Sequence, residues 1–178
     1  QKISQLMNYK PILIVGGEPN SIFFEIFFKS LKYKKYLSPL VLIASHKLTL
    51  AQMKKYKFKK NIRLIDLKNF SQSKLDNKSI NLINIEYNIR NKKNKISIES
   101  NNYIKKSFDV AFKILKDKTT NKLINGPISK KYFLKKKYIG ITEYMASKTN
   151  SENIAMIIYN KLLSVSPLTT HLPIKYIS

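Results

Sequence analysis

The run Pro11-Ile12-Leu13-Ile14-Val15, stopped by Gly16-Gly17, constrains the fold more than any other segment. So few apolar residues are too short for a helix and leave no polar face, so the run reads as a strand buried on both sides, as in a parallel sheet. After the turn Glu18-Pro19-Asn20-Ser21, the stretch from Ile22 to Leu31 is long enough for a helix, with Asn20 or Ser21 as its N-cap. Strand, glycine turn and helix open a βα unit.

The pattern repeats. Ser38 to Ser45 reads as a second buried strand, and His46 to Phe58 as a helix with Leu48, Leu50, Ala51, Met53 and Tyr56 on its apolar face. Ile62 to Leu67 and Ile80 to Tyr87 read as a third and fourth strand, and Arg90 to Lys95 as a charged turn. Ser100 or Asn101 then caps a long helix through Lys116, in which Ile104, Phe108, Ala111, Phe112 and Leu115 recur at helical spacing. Strands alternating with helices predict an α/β layer fold with right-handed crossovers, in which ligands gather at the carboxyl ends of the strands.

The polar segment Lys118-Thr119-Thr120-Asn121 is the candidate hinge, dividing a first α/β lobe (residues 1–120) from the start of a second (residues 121–178). Beyond it, Lys122-Leu123-Ile124 is a brief strand that breaks into Asn125-Gly126-Pro127-Ile128-Ser129-Lys130, followed by a Lys-rich helix. Gly140-Ile141-Thr142-Glu143-Tyr144-Met145-Ala146 reads as a tight turn into a short helix, with Thr142 as its cap or as an offered hydroxyl. Ile154 to Tyr159 reads as a strand, and Leu162 to Val165 as its hairpin partner.

Composition closes off several functions. With 43% hydrophobic residues the chain can bury a core, so it is not a disordered basic tail. No Cys is present, which excludes a disulfide scaffold, Cys-ligated zinc and thiol catalysis, and leaves carboxylates and two histidines, His46 and His171, as metal ligands. No apolar run approaches the roughly 20 residues of a membrane span, and the first residues lack a signal peptide's apolar stretch, so a cytoplasmic protein is expected. The net charge of +24 invites a nucleic-acid reading. Only Arg63 and Arg90 are arginines, however, although Arg is the residue that forks onto phosphates and base edges. Abundant Lys, Asn and Ile fit AT-rich coding, and most lysines are read as a solvated surface.

On the residues alone, Thr169-Thr170-His171-Leu172-Pro173 is the most site-like segment, because it sets an imidazole beside hydroxyls before a proline-fixed turn. His171 is either a structural histidine or a ligand or acid/base; His46 reads as an exposed helix-start residue. Gly16-Gly17 is either a plain turn or a place where backbone approaches a phosphate, and it matches neither the GxGxxG fingerprint nor a P-loop. Phe23, Phe24, Phe27 and Phe28 are core at helical spacing or, less simply, a platform for stacked bases.

Gly17-Glu18-Pro19, Asn125-Gly126-Pro127-Ile128-Ser129-Lys130, Gly140-Ile141-Thr142-Glu143-Tyr144 and Thr169-Thr170-His171-Leu172-Pro173-Ile174 together resemble the 4-hydroxythreonine-4-phosphate dehydrogenase family in order and approximate spacing. The resemblance runs from about Lys10 to the end. It implies an isocitrate-dehydrogenase-like two-lobed α/β subunit (here the first lobe plus part of the second), a homodimer, NAD as cofactor and a divalent metal held by three histidines. The activity implied is oxidation, with decarboxylation, of 4-phosphooxy-L-threonine in pyridoxal 5′-phosphate biosynthesis. His171 matches the first of the family's metal histidines, and Thr142 the threonine that contacts the phosphorylated substrate. The chain departs at Ile141, where the family has a histidine. The family's other metal histidines have no counterpart before Ser178, so the expectation is an amino-terminal portion that does not turn over alone. A basic polyanion-binding protein and a degenerate, inactive paralogue are the alternatives.

Overall fold

The computed structural model describes residues 9–88, 98–135 and 137–167. They fall into two compact units, Gln1–Ser129 and Lys130–Ser178. The first holds a five-stranded sheet, β1 (Ile12–Val15), β2 (Leu40–Ala44), β3 (Ile62–Leu64), β4 (Ile80–Asn84) and β5 (Leu123–Asn125), with helices α1 (Phe23–Tyr33), α2 (His46–Lys55) and α3 (Ile98–Lys116). Strand order is β3-β4-β2-β1-β5, and every pairing is parallel. The strands are therefore joined by crossovers, and the α/β class expected from the apolar runs is the one observed.

Burial explains why the central runs form strands. Every residue of β2 is buried, as are Leu13 to Val15 of β1 and Ile80 to Ile83 of β4. On one face, Ile14, Leu40, Leu42, Ile80 and Leu82 pack against Phe23, Phe24, Phe27 and Phe28 of α1 and Leu48 and Met53 of α2. The four phenylalanines are thus core. α3 packs on β1 and β2. Period-two alternation assigns it the opposite face, with Tyr103, Ile104, Phe108, Ala111 and Ile114 buried beneath it. Burying a side chain of the Leu or Phe kind contributes roughly 1.5–3 kcal/mol, so these two layers carry the unit.

Local differences from the expected pattern have simple causes. The N-cap position of α1 is Ile22 and not Asn20 or Ser21, although Ser21 Oγ accepts the Phe23 N–H at 3.3 Å. In α2, Leu48, Thr49 and Met53 are buried, whereas Leu50 is 48% exposed and Ala51 is exposed, because the helix rests on the sheet along one narrow stripe. β3 and β4 end at Leu64 and Asn84, before the Leu67 and Tyr87 expected from apolarity; Leu67–Gln72 is a 3-10 turn. Ser100 and Asn101 lie inside α3 and do not cap it. The charged turn Arg90 to Lys95 lies outside the described residues.

The candidate hinge Lys118–Asn121 lies within the first unit and is pinned there. The Thr120 hydroxyl donates to the Pro11 carbonyl, Leu13 N–H donates to Lys122 O at 3.0 Å, and β5 pairs with β1.

The second unit contains a π-helical turn (Lys130–Leu134), α4 (Ile141–Thr149) and the antiparallel pair β6 (Ile158–Tyr159) and β7 (Ser164–Val165). Tyr144 is buried and takes Phe133 and Tyr138 edge-on at 5.2 and 5.4 Å, which fixes α4 within this unit. Ile157, Ile158, Tyr159, Leu162, Leu163 and Val165 around the hairpin are all exposed, Leu162 at 96%.

Candidate functional site

In the first unit the chain leaves β1 toward β2 on one side and arrives in β5 from β4 on the other, so neighbouring β1 and β5 are a topological switch point. At such points a parallel sheet offers its ligand crevice, beyond the carboxyl ends of the strands. Two of the motifs meet there. Gly126 N–H donates to Val15 O at 2.7 Å, and Glu18 N–H donates to Pro127 O at 2.8 Å. Gly17 has φ +72°, and a Cβ built on it would fall on the Pro127 carbonyl oxygen and within 2.8 Å of Gly126 C. A Cβ on Gly126 would in turn fall on Gly16 O and within 2.8 Å of the Phe23 ring. Glycine is required on both loops because their backbones touch. The space beside Gly17 is filled by Pro127, so Gly16-Gly17 is a turn locked to β5 and not a phosphate cradle.

Glu18 is the titratable group this interlock positions. Burial pushes its carboxyl above the ordinary range, while the Ser129 amide and the Ser100 hydroxyl donate to it and pull the other way. Its Oε1 is buried and has no hydrogen-bond partner among the described residues. Ser100 belongs to the first turn of α3 and Ser129 follows the Asn125-Gly126-Pro127 loop, so Glu18 ties together the ends of β1, β5 and α3.

Tyrosines and a histidine complete this edge. Ser45 Oγ caps α2 by accepting Leu48 N–H at 3.3 Å, and Ser45 N–H donates to Tyr103 Oη at 3.1 Å. Burial pushes the Tyr103 phenol up. Tyr87 stands 5.0 Å from Tyr103, ring to ring, and its phenol is also raised, by burial first and then by the charges of Glu99 and Glu18. His46, half-buried, begins α2, and its N–H donates to Asn84 Oδ1 at 2.8 Å while Asn84 Nδ2 donates to Glu86 Oε1 at 2.7 Å. A carboxyl lifted by burial moves toward the working pH, where a general acid or base is most effective, whereas the raised phenols of Tyr87 and Tyr103 move away from it and stay protonated.

Thr142 lies in the second unit, half-buried, at the second position of α4. The N-cap is Gly140, without a side-chain cap bond, so Thr142 presents its hydroxyl in the first turn and does not cap the helix. Tyr144 N–H closes the turn on Gly140 O at 3.2 Å, and a helix N-terminus is a usual setting for anion binding. Ile141, beside it, offers no hydrogen-bonding side chain. His171, with Thr169 and Thr170, lies outside the described residues. Among the described residues no group of three or more His, Asp or Glu could hold a metal ion. None of their helices is long and apolar enough to cross a membrane.

Sequence reasoning quoted Glu18 within a motif but gave it no role, and it missed Tyr87 and Tyr103. Their meeting depends on pairing β1 with β5 and on seating α3 over β1 and β2, contacts between residues far apart in the chain.

An all-parallel sheet with helices on both faces and glycine loops meeting at its switch point defines a doubly wound α/β domain. The family model for the pyridoxal phosphate biosynthetic protein PdxA matches residues 35–178, and the chain belongs to that family. A 4-hydroxythreonine-4-phosphate dehydrogenase of Sulfurihydrogenibium sp. (strain YO3AOP1) is 36% identical over 67 residues, 36% of this chain and 21% of that protein. A 4-hydroxythreonine-4-phosphate dehydrogenase structure from Burkholderia phymatum superposes with TM-score 0.79 at 20% identity, covering 94% of this chain and 52% of that one. The corresponding enzyme structure from Klebsiella pneumoniae gives TM-score 0.75 at 21% identity, covering 93% and 52%. These structures show a shared fold. The chain spans about half the length of the solved relatives it matches.

Proposed function

We propose that this chain supplies the amino-terminal part of an NAD-dependent dehydrogenase that oxidises 4-phosphooxy-L-threonine, with decarboxylation, in pyridoxal 5′-phosphate (vitamin B6) biosynthesis. The observation that carries the reading is the family match over residues 35–178, which takes in the Asn125, Gly140 and Thr169 motifs. In this reading the first unit is most of the first lobe and the second unit begins the second lobe. A cytoplasmic location goes with it.

The residues take the following roles. Thr142, in the first turn of α4, receives the substrate's phosphate, a dianion for which a helix N-terminus is suited. Glu18 accepts or returns a proton at the carboxyl edge of the first sheet. NAD, when bound, accepts the hydride. His171 is assigned as one ligand of a divalent metal, by resemblance. Such sites take about three protein ligands, so the 178-residue chain by itself is expected to bind metal weakly and not to turn over. The clustered exposed apolar residues of the β6–β7 hairpin support a homodimer, because a contiguous patch of this kind marks an interface.

Steady-state kinetics on a protein that carries this chain at its relatives' full length tests the phosphate assignment. Thr142→Ala should raise KM for the phosphorylated substrate at least tenfold while kcat falls less; an unchanged KM would remove Thr142 from the site.

A further inference from the structure

At the amino-terminal edge of the sheet, away from the glycine loops, the end of α1 and the passage from α2 to β3 enclose a recess of about 590 Å³. That volume lies within the range of small-molecule sites, roughly 300–1,000 Å³. Its floor is the buried Phe28, with Phe58 stacked on it at 4.6 Å and Tyr56 edge-on at 6.3 Å. Phe58 and Tyr56 are half-buried and Tyr33 is 74% exposed, so three rings keep surface toward solvent.

Lys29, Lys32, Lys57, Lys59 and Lys60 line the same recess. The one acid there, Glu25, is paired with Lys29 at 2.6 Å. The lining is richer in lysine and in aromatic residues than the chain as a whole. Lysine is fewer than one residue in five of the chain and aromatics are 11%, yet five of the eleven lining residues are lysine and four are aromatic. The carboxyl ends of α1 and α2 contribute about half a negative charge each, which leaves the recess positive. Its rim is also set in place. Phe58 N–H donates to Met53 O at 2.9 Å and Lys57 N–H to Lys54 O at 3.3 Å, closing α2 with Lys57 left-handed at φ 51°.

We propose that this recess binds a nucleotide, with the base against the rings of Tyr33 and Phe58 and the phosphates held by Lys57, Lys59 and Lys60. Every base has a π face that stacks on aromatic rings, and ammonium groups pair with phosphate as point charges. The nucleotide is either free or the exposed end of a single strand; both present the same base and phosphate. None of these residues belongs to the candidate site above, so the proposal stands or falls apart from the dehydrogenase reading.

Calorimetric titration of the 178-residue chain with ATP, with inorganic tripolyphosphate and with a short single-stranded oligonucleotide, at about 0.15 M salt where diffuse attraction is screened, tests it. ATP should bind tighter than tripolyphosphate, and Tyr33→Ala, a change at an exposed ring, should erase that difference. Lys57→Glu with Lys59→Glu should weaken ATP at least tenfold, whereas the charge-matched pair Lys105→Glu with Lys106→Glu, exposed on α3, should weaken it less than twofold. If the oligonucleotide binds tighter than ATP with the same sensitivity to the variants, the occupant is a strand end. Equal losses from the two lysine pairs, tripolyphosphate binding as tightly as ATP, or no saturable binding of either nucleotide probe would overturn the proposal.

Discussion

Gly17 and Pro127, more than a hundred residues apart in the chain, share one space: the Pro127 carbonyl stands where a side chain on Gly17 would begin, and it accepts the N–H of Glu18 at 2.8 Å. Gly17→Ala should therefore cost about 2–4 kcal/mol, combining the left-handed φ that an L side chain resists with displacement of the β5 loop. Urea unfolding of the two proteins measures this directly. A loss below about 0.5 kcal/mol, the scatter of ordinary surface changes, would mean that the loops are not interlocked.

Tyr103→Phe removes the buried acceptor of the Ser45 N–H. The ring stays packed against Tyr87, but the Ser45 N–H loses its acceptor at a fully buried position. An orphaned buried donor costs about 1–3 kcal/mol, and thermal or urea unfolding should show a loss in that range. An unchanged midpoint would indicate that Ser45 N–H finds another acceptor.

Glu18 gives a pH dependence with a defined sign. Burial raises its carboxyl above the ordinary carboxylate range in the folded chain, so the folded state holds the proton more tightly than the unfolded one. The stability it contributes is present below the unfolded pKa and is lost as pH rises through the folded pKa. Glu18→Gln cannot ionise. Unfolding curves at several pH values between about 4 and 7 should show the Gln variant gaining on the original protein as pH rises. Parallel curves, or a gap moving the other way, would contradict the burial of this carboxyl.

The core of the fold was legible because burial on both faces leaves a plain mark: β2, with five buried residues in a row, and the centres of β1 and β4 all lie within the predicted apolar runs. Ends were less so. Leu50 and Ala51 look like core by composition but lie off the stripe that Leu48 and Met53 bury, and apolarity carried β3 and β4 past the last sheet hydrogen bonds. Ser100 looks like a cap yet sits inside α3, where its hydroxyl serves Glu18. The site was harder to see. Thr142 was recognisable only through its motif, and the surroundings of Glu18 come from β1, β5 and α3, which no local pattern links.

Turnover is the most direct test of the central claim. A protein carrying residues 1–178 at its relatives' full length, given 4-phosphooxy-L-threonine, NAD and a divalent cation, should produce NADH, and His171→Ala should abolish that production while leaving the circular dichroism unchanged. The 178-residue chain alone should produce none. NADH formation that survives His171→Ala would contradict the metal-ligand assignment, and a folded full-length protein that reduces no NAD with this substrate would contradict the account as a whole.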